Sequence, residues 1–82
     1  MKVIFYTREK CHLCTEAKEI LNVLQNDYNF EIMEKNIDDS DELTEKYGLM
    51  IPVIEMNQEI VQYGQIDYYT LSKRFQKKVN PS

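Results

Sequence analysis

Apolar and polar positions follow one period and then another along this chain, and each change of period marks an element. Val3-Ile4-Phe5-Tyr6 is a continuous apolar, β-rich run, the pattern of a central strand covered on both faces. From about His12 to Asn26 the apolar residues Leu13, Ala17, Ile20, Leu21 and Leu24 recur at helical spacing. Tyr28 to Ile37 alternates, with Phe30, Ile32 and Glu34 opposite Glu31, Met33 and Lys35, and reads as a strand. Asp39 to Tyr47 predicts a short helix, capped by Asp39 or Ser40 and stopped by Gly48. Pro52 opens a strand over Val53–Met56, Asn57-Gln58 serves as a hairpin turn, and Ile60 to Tyr63 returns as the partner strand. Gly64 breaks that strand. Asp67 then caps a last helix with Tyr68, Leu71, Phe75 and Val79 on one face, before Asn80-Pro81-Ser82 ends the chain.

The order β-α-β-α-β-β-α belongs to the α/β class. The two early strands are joined through a helix, so they should be parallel with a right-handed connection, and the late pair should be an antiparallel hairpin. A four-stranded mixed sheet flanked by helices on both faces follows. The 82 residues are room for one domain, 1–82, and contain no repeat, linker or low-complexity segment. A chain this short buries roughly 60–65% of its unfolded surface, so its chemistry is expected on an exposed rim rather than in an enclosed cavity.

Charge narrows the partners. There are 14 acidic and 10 basic residues, a formal net charge of −4, which argues against nucleic acid as a partner. Asp38, Asp39, Asp41, Glu42 and Glu45 form one acidic stretch, and Lys73, Arg74, Lys77 and Lys78 a basic one; both read as solvated helix faces. The opening apolar run is too brief for a secretory signal, and nothing approaches the ~18 apolar residues of a membrane span. The expected setting is therefore a reducing cytoplasm, away from membranes, with the chain acting as a monomer. In such a compartment Cys11 and Cys14 are not a structural staple, since closing so short a loop restrains the unfolded chain by only ~2 kcal/mol. The pair is there for chemistry or for a metal.

Cys11 falls between the end of the first strand and the start of the first helix. There its sulfur faces unpaired helix N–H groups and the positive end of the helix dipole, which favour a thiolate. Cys14 follows one turn later, with an expected Cα–Cα separation of ~5–5.5 Å, inside disulfide range. Cys11 is thus expected to be the exposed attacking thiol and Cys14 the inward-facing resolving thiol. At pH 7 a thiol of pKa ~8.5 is ~3% thiolate and one of ~6.5 is ~75%, a ~25-fold gain. Lower intrinsic nucleophilicity takes back ~8-fold, so the larger benefit is Cys11 as a leaving group. Arg8, Lys10 and His12 flank Cys11, with Glu9 offsetting part of their charge. His12 could tune Cys11 by its own protonation, or simply face water.

Metal is the rival use of the same thiols. Structural zinc wants four ligands, and the chain supplies two cysteines and one histidine, with His12 locked between the cysteines. A zinc or iron–sulfur site would therefore bridge two subunits, giving a binding module or adaptor rather than an oxidoreductase. Thr15 follows Cys14, which excludes the haem-attachment motif.

Over nearly its full length the chain resembles the glutaredoxin-like branch of the thioredoxin superfamily. The carrying residues are the strand leading through Tyr6-Thr7-Arg8-Glu9-Lys10 into Cys11-His12-Leu13-Cys14, then Ile51-Pro52-Val53, a hairpin, and Gly64 followed by Asp67 at a helix start. The resemblance implies thiol–disulfide exchange with a protein disulfide and a thiol reductant, the Cys11–Cys14 pair being the redox centre with no further cofactor. It implies that Arg8 lies near the glycine carboxylate of bound glutathione and Asp67 near its γ-glutamyl end. It also implies a cis peptide before Pro52, facing the disulfide, with Ile51 offering its N–H and C=O to a substrate strand. Two features depart from the family pattern. His12-Leu13 stands where dithiol glutaredoxins carry Pro-Tyr, and Tyr63-Gly64 where they carry Gly-Gly. Leu13 and Gly64 accordingly belong to the expected substrate-binding rim, and the reductant is expected to be a reductase or another dithiol rather than glutathione.

Overall fold

The computed structural model describes residues 1–78. Val79, expected on the apolar face of the last helix, lies outside the described residues. The elements are β1 (Lys2–Thr7), α1 (His12–Leu24), β2 (Glu31–Asn36), a short 3-10 turn (Ile37–Asp39), α2 (Asp41–Tyr47), β3 (Val53–Met56), β4 (Glu59–Tyr63) and α3 (Tyr68–Lys78). The sheet order is β2-β1-β3-β4. β1 pairs parallel to β2 and antiparallel to β3, and β3 pairs antiparallel to β4. β1 is central, as its continuous apolar run requires.

Alternation along the strands sorts the core into two layers. Val3 and Phe5 of β1, with Ile54 and Met56 of β3, pack against Cys14, Ala17, Leu21 and Leu24 of α1 and Leu71 and Phe75 of α3. Tyr6 and Val53 point the other way and pack with Ile37 and with Tyr47 of α2. Each fully buried side chain of this size contributes about 1.5–3 kcal/mol, so the α1–α3 layer carries most of the stability.

The expected second strand differs from the sequence pattern at both ends. β2 begins at Glu31, because the chain at 25–28 continues the α1 terminus in turns: Asp27 and Tyr28 donate backbone bonds to Leu24. The end of the same run is a 3-10 turn, in which Asn36 acts as the cap and its side chain accepts from the Asp38 N–H at 2.9 Å. Gly48 closes α2 in a right-handed conformation with φ −55°. Space is the reason for glycine there, since a Cβ would come 2.5 Å from the Thr44 carbonyl oxygen.

Candidate active site

β1 delivers the chain to the site through Arg8-Glu9-Lys10. Lys10 adopts φ 58°, a left-handed conformation uncommon for a lysine, which turns the backbone into the first turn of α1. Cys11 is the N-cap of that helix. Its Sγ accepts a hydrogen bond from the Cys14 N–H at 3.2 Å, and its carbonyl accepts from the Thr15 N–H at 3.1 Å and the Thr15 hydroxyl at 3.3 Å. Sulfur thus takes the place that a Ser or Asp oxygen fills at most helix starts.

Cys11 and Cys14 are joined as a disulfide, with Cα atoms 5.2 Å apart. The two sulfurs stand in different surroundings. Cys14 is 3% exposed within the α1 core face, whereas Cys11 is half-buried at its margin. A reagent in solvent reaches Cys11 more readily, and Cys14 lies behind it.

Two of the side chains flanking Cys11, Arg8 and His12, are engaged elsewhere. Arg8 donates from Nε to Asp38 Oδ1 at 2.9 Å, and its Nη2 lies 2.9 Å from the same oxygen. His12 is turned into solvent, its side chain 85% exposed and its Nε2 2.8 Å from Glu16 Oε2 one helical turn on. The helical spacing of His12 and Glu16 made that pair legible in sequence. Nothing in the sequence signals the Arg8–Asp38 pair, whose members are thirty residues apart. Leu13, 38% exposed, presents an apolar side chain beside the disulfide.

The Ile51–Pro52 peptide is cis. Pro52 is buried and Ile51 packs at the margin of both core layers, as Cys11 does at one of them. One expectation is corrected here: the Ile51 N–H is not available to a substrate strand, because it donates to the Tyr47 carbonyl at 3.1 Å. The Tyr47 carbonyl also accepts from Met50, so the end of α2 ties down the loop that carries Pro52. Among the described residues no backbone N–H donates to the Ile51 carbonyl.

Gly64 holds the far side of this loop, its N–H shared between the carbonyls of Met50 at 2.9 Å and Pro52 at 2.8 Å. It does so at φ 77°, and that conformation, rather than crowding, accounts for the glycine, since a Cβ would meet nothing within 4 Å. Tyr63, just before it, is 56% exposed. Asp67 caps α3: its Oδ2 accepts from the Thr70 N–H at 2.8 Å, and that bond holds its carboxyl below the usual range.

On the α1 side of the sheet an open cleft of about 300 Å³ runs beside Cys14, with Thr7, Arg8, Lys10, Lys18, Glu34 and Asn36 among its walls. It exists because β2 carries Glu34 and Asn36 on the face where Ile32 is apolar. Lys18 of α1 bridges to Glu34 at 3.1 Å across that gap. Among the described residues no group of three or more His, Cys, Asp or Glu is placed to hold a metal ion. Nor is any described helix long and apolar enough to cross a membrane.

A mixed four-stranded sheet between helices, with a Cys-x-x-Cys disulfide at the start of α1, defines a protein of the thioredoxin fold. Comparison with known proteins narrows the class. Residues 2–76 match the family model described as glutaredoxin-like domain, and the chain belongs to that family. Protein Ne2328 from Nitrosomonas europaea is similar at 33% identity and a TM-score of 0.75, over 89% of this chain and 88% of that one. Protein XcR50 from X. campestris is similar at 28% identity and a TM-score of 0.76, over 92% and 96%. The glutaredoxin of E. coli shares the fold, with a TM-score of 0.61 at 19% identity over 98% and 99%.

Proposed function

We propose that this protein is a thiol–disulfide oxidoreductase that reduces protein disulfides through Cys11 and Cys14. The observation that carries the reading is the asymmetry of the disulfide: Cys11 capped by an N–H at the helix start and reachable, Cys14 buried behind it. The hydrogen bond from the Cys14 N–H and the helix dipole both favour negative charge on the Cys11 sulfur. In the reduced protein the Cys11 thiolate attacks a substrate disulfide, forming a mixed disulfide and releasing one substrate thiolate. The Cys14 thiolate then attacks the Cys11 sulfur, and the second substrate thiolate leaves. The protein ends oxidised by two electrons and the substrate reduced by two. The Cys11/Cys14 dithiol itself supplies those electrons, so the reaction calls for no resident cofactor.

The substrate-binding rim in this reading comprises Leu13, Ile51, Pro52 and Gly64, with Arg8, His12 and Asp67 at its edge. The Ile51 carbonyl offers one acceptor to an extended segment of the partner, worth about 0.5–1.5 kcal/mol, enough to orient a substrate that must then be released. A reductase or small dithiol fits as reductant better than glutathione does. Three observations support that preference: Asp38 already holds Arg8, the Asp67 carboxylate is engaged as a cap, and the Tyr63 side chain stands out beside Gly64. The reading places the protein as a monomer in a reducing cytoplasm.

Trapping tests the reading. A Cys14→Ser variant should accumulate mixed disulfides with cellular proteins that dithiothreitol releases, and a Cys11→Ser variant should accumulate none. Equal trapping by both variants, or none by either, would sink the assignment.

A further inference from the structure

We propose that Asp38 determines the charge selectivity of this site, by occupying the guanidinium of Arg8 so that anionic disulfides are disfavoured as partners. The inference rests on the exchange reading above and names the chemical class of substrate that the same site takes.

Arg8 lies three residues before Cys11 and lines the cleft that reaches Cys14. An arginine there would ordinarily receive a carboxylate, its fork of donors matching two oxygens. Here Nε and Nη2 both converge on Asp38 Oδ1. Asp38 does not arrive by chance of side-chain rotation, because its own backbone N–H is held by Asn36 Oδ1 at the head of the 3-10 turn. Asn36 is fixed in turn by its register opposite Thr7 at the end of the β1–β2 pair. The carboxylate is thus presented to Arg8 by the fold. The second cation on the cleft wall between sheet and helix, Lys18, is met by Glu34 in the same way. Two of the cleft's cations therefore carry internal carboxylates, while Glu9 and Lys10 add one charge of each sign.

An incoming anion has to compete with Asp38 for Arg8, and an incoming cation finds Asp38 half exposed beside the guanidinium. An exposed ion pair of this kind changes an equilibrium by a factor of about 1.5 to 5. The site should therefore favour neutral or cationic disulfides over anionic ones by a factor of that order, and the preference should fade as salt screens it.

The test uses three alkyl disulfides that differ chiefly in charge: 3,3′-dithiodipropionate (dianion), bis(2-hydroxyethyl) disulfide (neutral) and cystamine (dication). The full chain is reduced, freed of reductant and mixed with each; samples are acid-quenched, alkylated and weighed by mass spectrometry to give single-turnover rates. Asp38→Asn is expected to raise the dianion rate about two- to fivefold, lower the cystamine rate by a similar factor, and leave the neutral rate unchanged. Asp39→Asn removes the same charge from the next residue without touching Arg8, and should shift the dianion-to-dication ratio far less. In an Arg8→Gln background the Asp38→Asn effect should shrink to the size of the Asp39→Asn effect. An active Asp38→Asn variant with an unchanged ratio, or one no different from Asp39→Asn, overturns the proposal and leaves the exchange reading standing. Failure of the unmodified protein to be oxidised by any of the three overturns both.

Discussion

The Asp67 carboxylate closes the first turn of α3 by accepting the Thr70 N–H, and that bond is the main reason its carboxyl lies below the ordinary value of 3.8. A depressed folded-state value contributes stability that is present above the unfolded value and disappears as pH falls through the folded one. Asp67→Asn keeps a capping oxygen but not the charge, so it should melt slightly below the unmodified protein at pH 7. The two melting temperatures should converge as pH drops below about 4. A gap that stays constant from pH 7 to pH 3 would show that the charge contributes nothing. Caps of this kind are legible in sequence because acceptor and donor are three residues apart; Ser40 before α2 is another, accepting from Leu43. The Arg8–Asp38 pair and the tie between Ile51 and Tyr47 are not legible in this way, since each depends on where a loop comes to rest.

Asn57 and Gln58 join β3 to β4 with φ values of 53° and 65°. Positive φ at both central positions is the type I′ hairpin turn, which matches the twist of the flanking strands and favours Asn followed by Gly. Gln58 carries a Cβ where glycine is the favoured residue, so the turn forms against a local preference because the strands on either side pair. Gln58→Gly is expected to stabilise the fold by about 0.5–1 kcal/mol, read as a higher urea midpoint at constant slope. The turn follows Met56, which pairs with Val3, while the disulfide lies beyond the other end of β1. Exchange rates should therefore be unaffected, and a loss of stability would show that Gln58 makes a contact worth more than the conformational relief.

Across the whole molecule, α3 is anchored by its two fully buried side chains, Leu71 and Phe75. Phe75 is fully buried, and Tyr28 and Phe30 meet it edge-on at centroid distances of 5.8 and 4.8 Å. Phe75→Ala should cost about 3–5 kcal/mol, a large part of the roughly 5–15 kcal/mol a domain has in total. Urea unfolding measures this directly. Tyr69, on the same helix but 64% exposed with Lys73 over its ring, should change stability by less than about 0.5 kcal/mol when replaced by alanine. Comparable losses at both positions would mean that α3 is not anchored as the packing indicates.

The sequence by itself determined the element order, the two-layer core and the place of the cysteine pair. Each of these rests on local periodicity or on short spacing: apolar residues at period two or 3.6, a cap and its N–H, two sulfurs one helical turn apart. It did not determine which charges around Cys11 are already matched, or that the Ile51 N–H is engaged. It also did not reveal the cleft between α1 and β2. Those depend on residues far apart in the chain, Arg8 with Asp38, Lys18 with Glu34 and Gly64 with Met50 and Pro52, which meet only after strand pairing sets their register. An ion pair between exposed side chains contributes too little to shape the sequence pattern around it, so tertiary structure alone decides it.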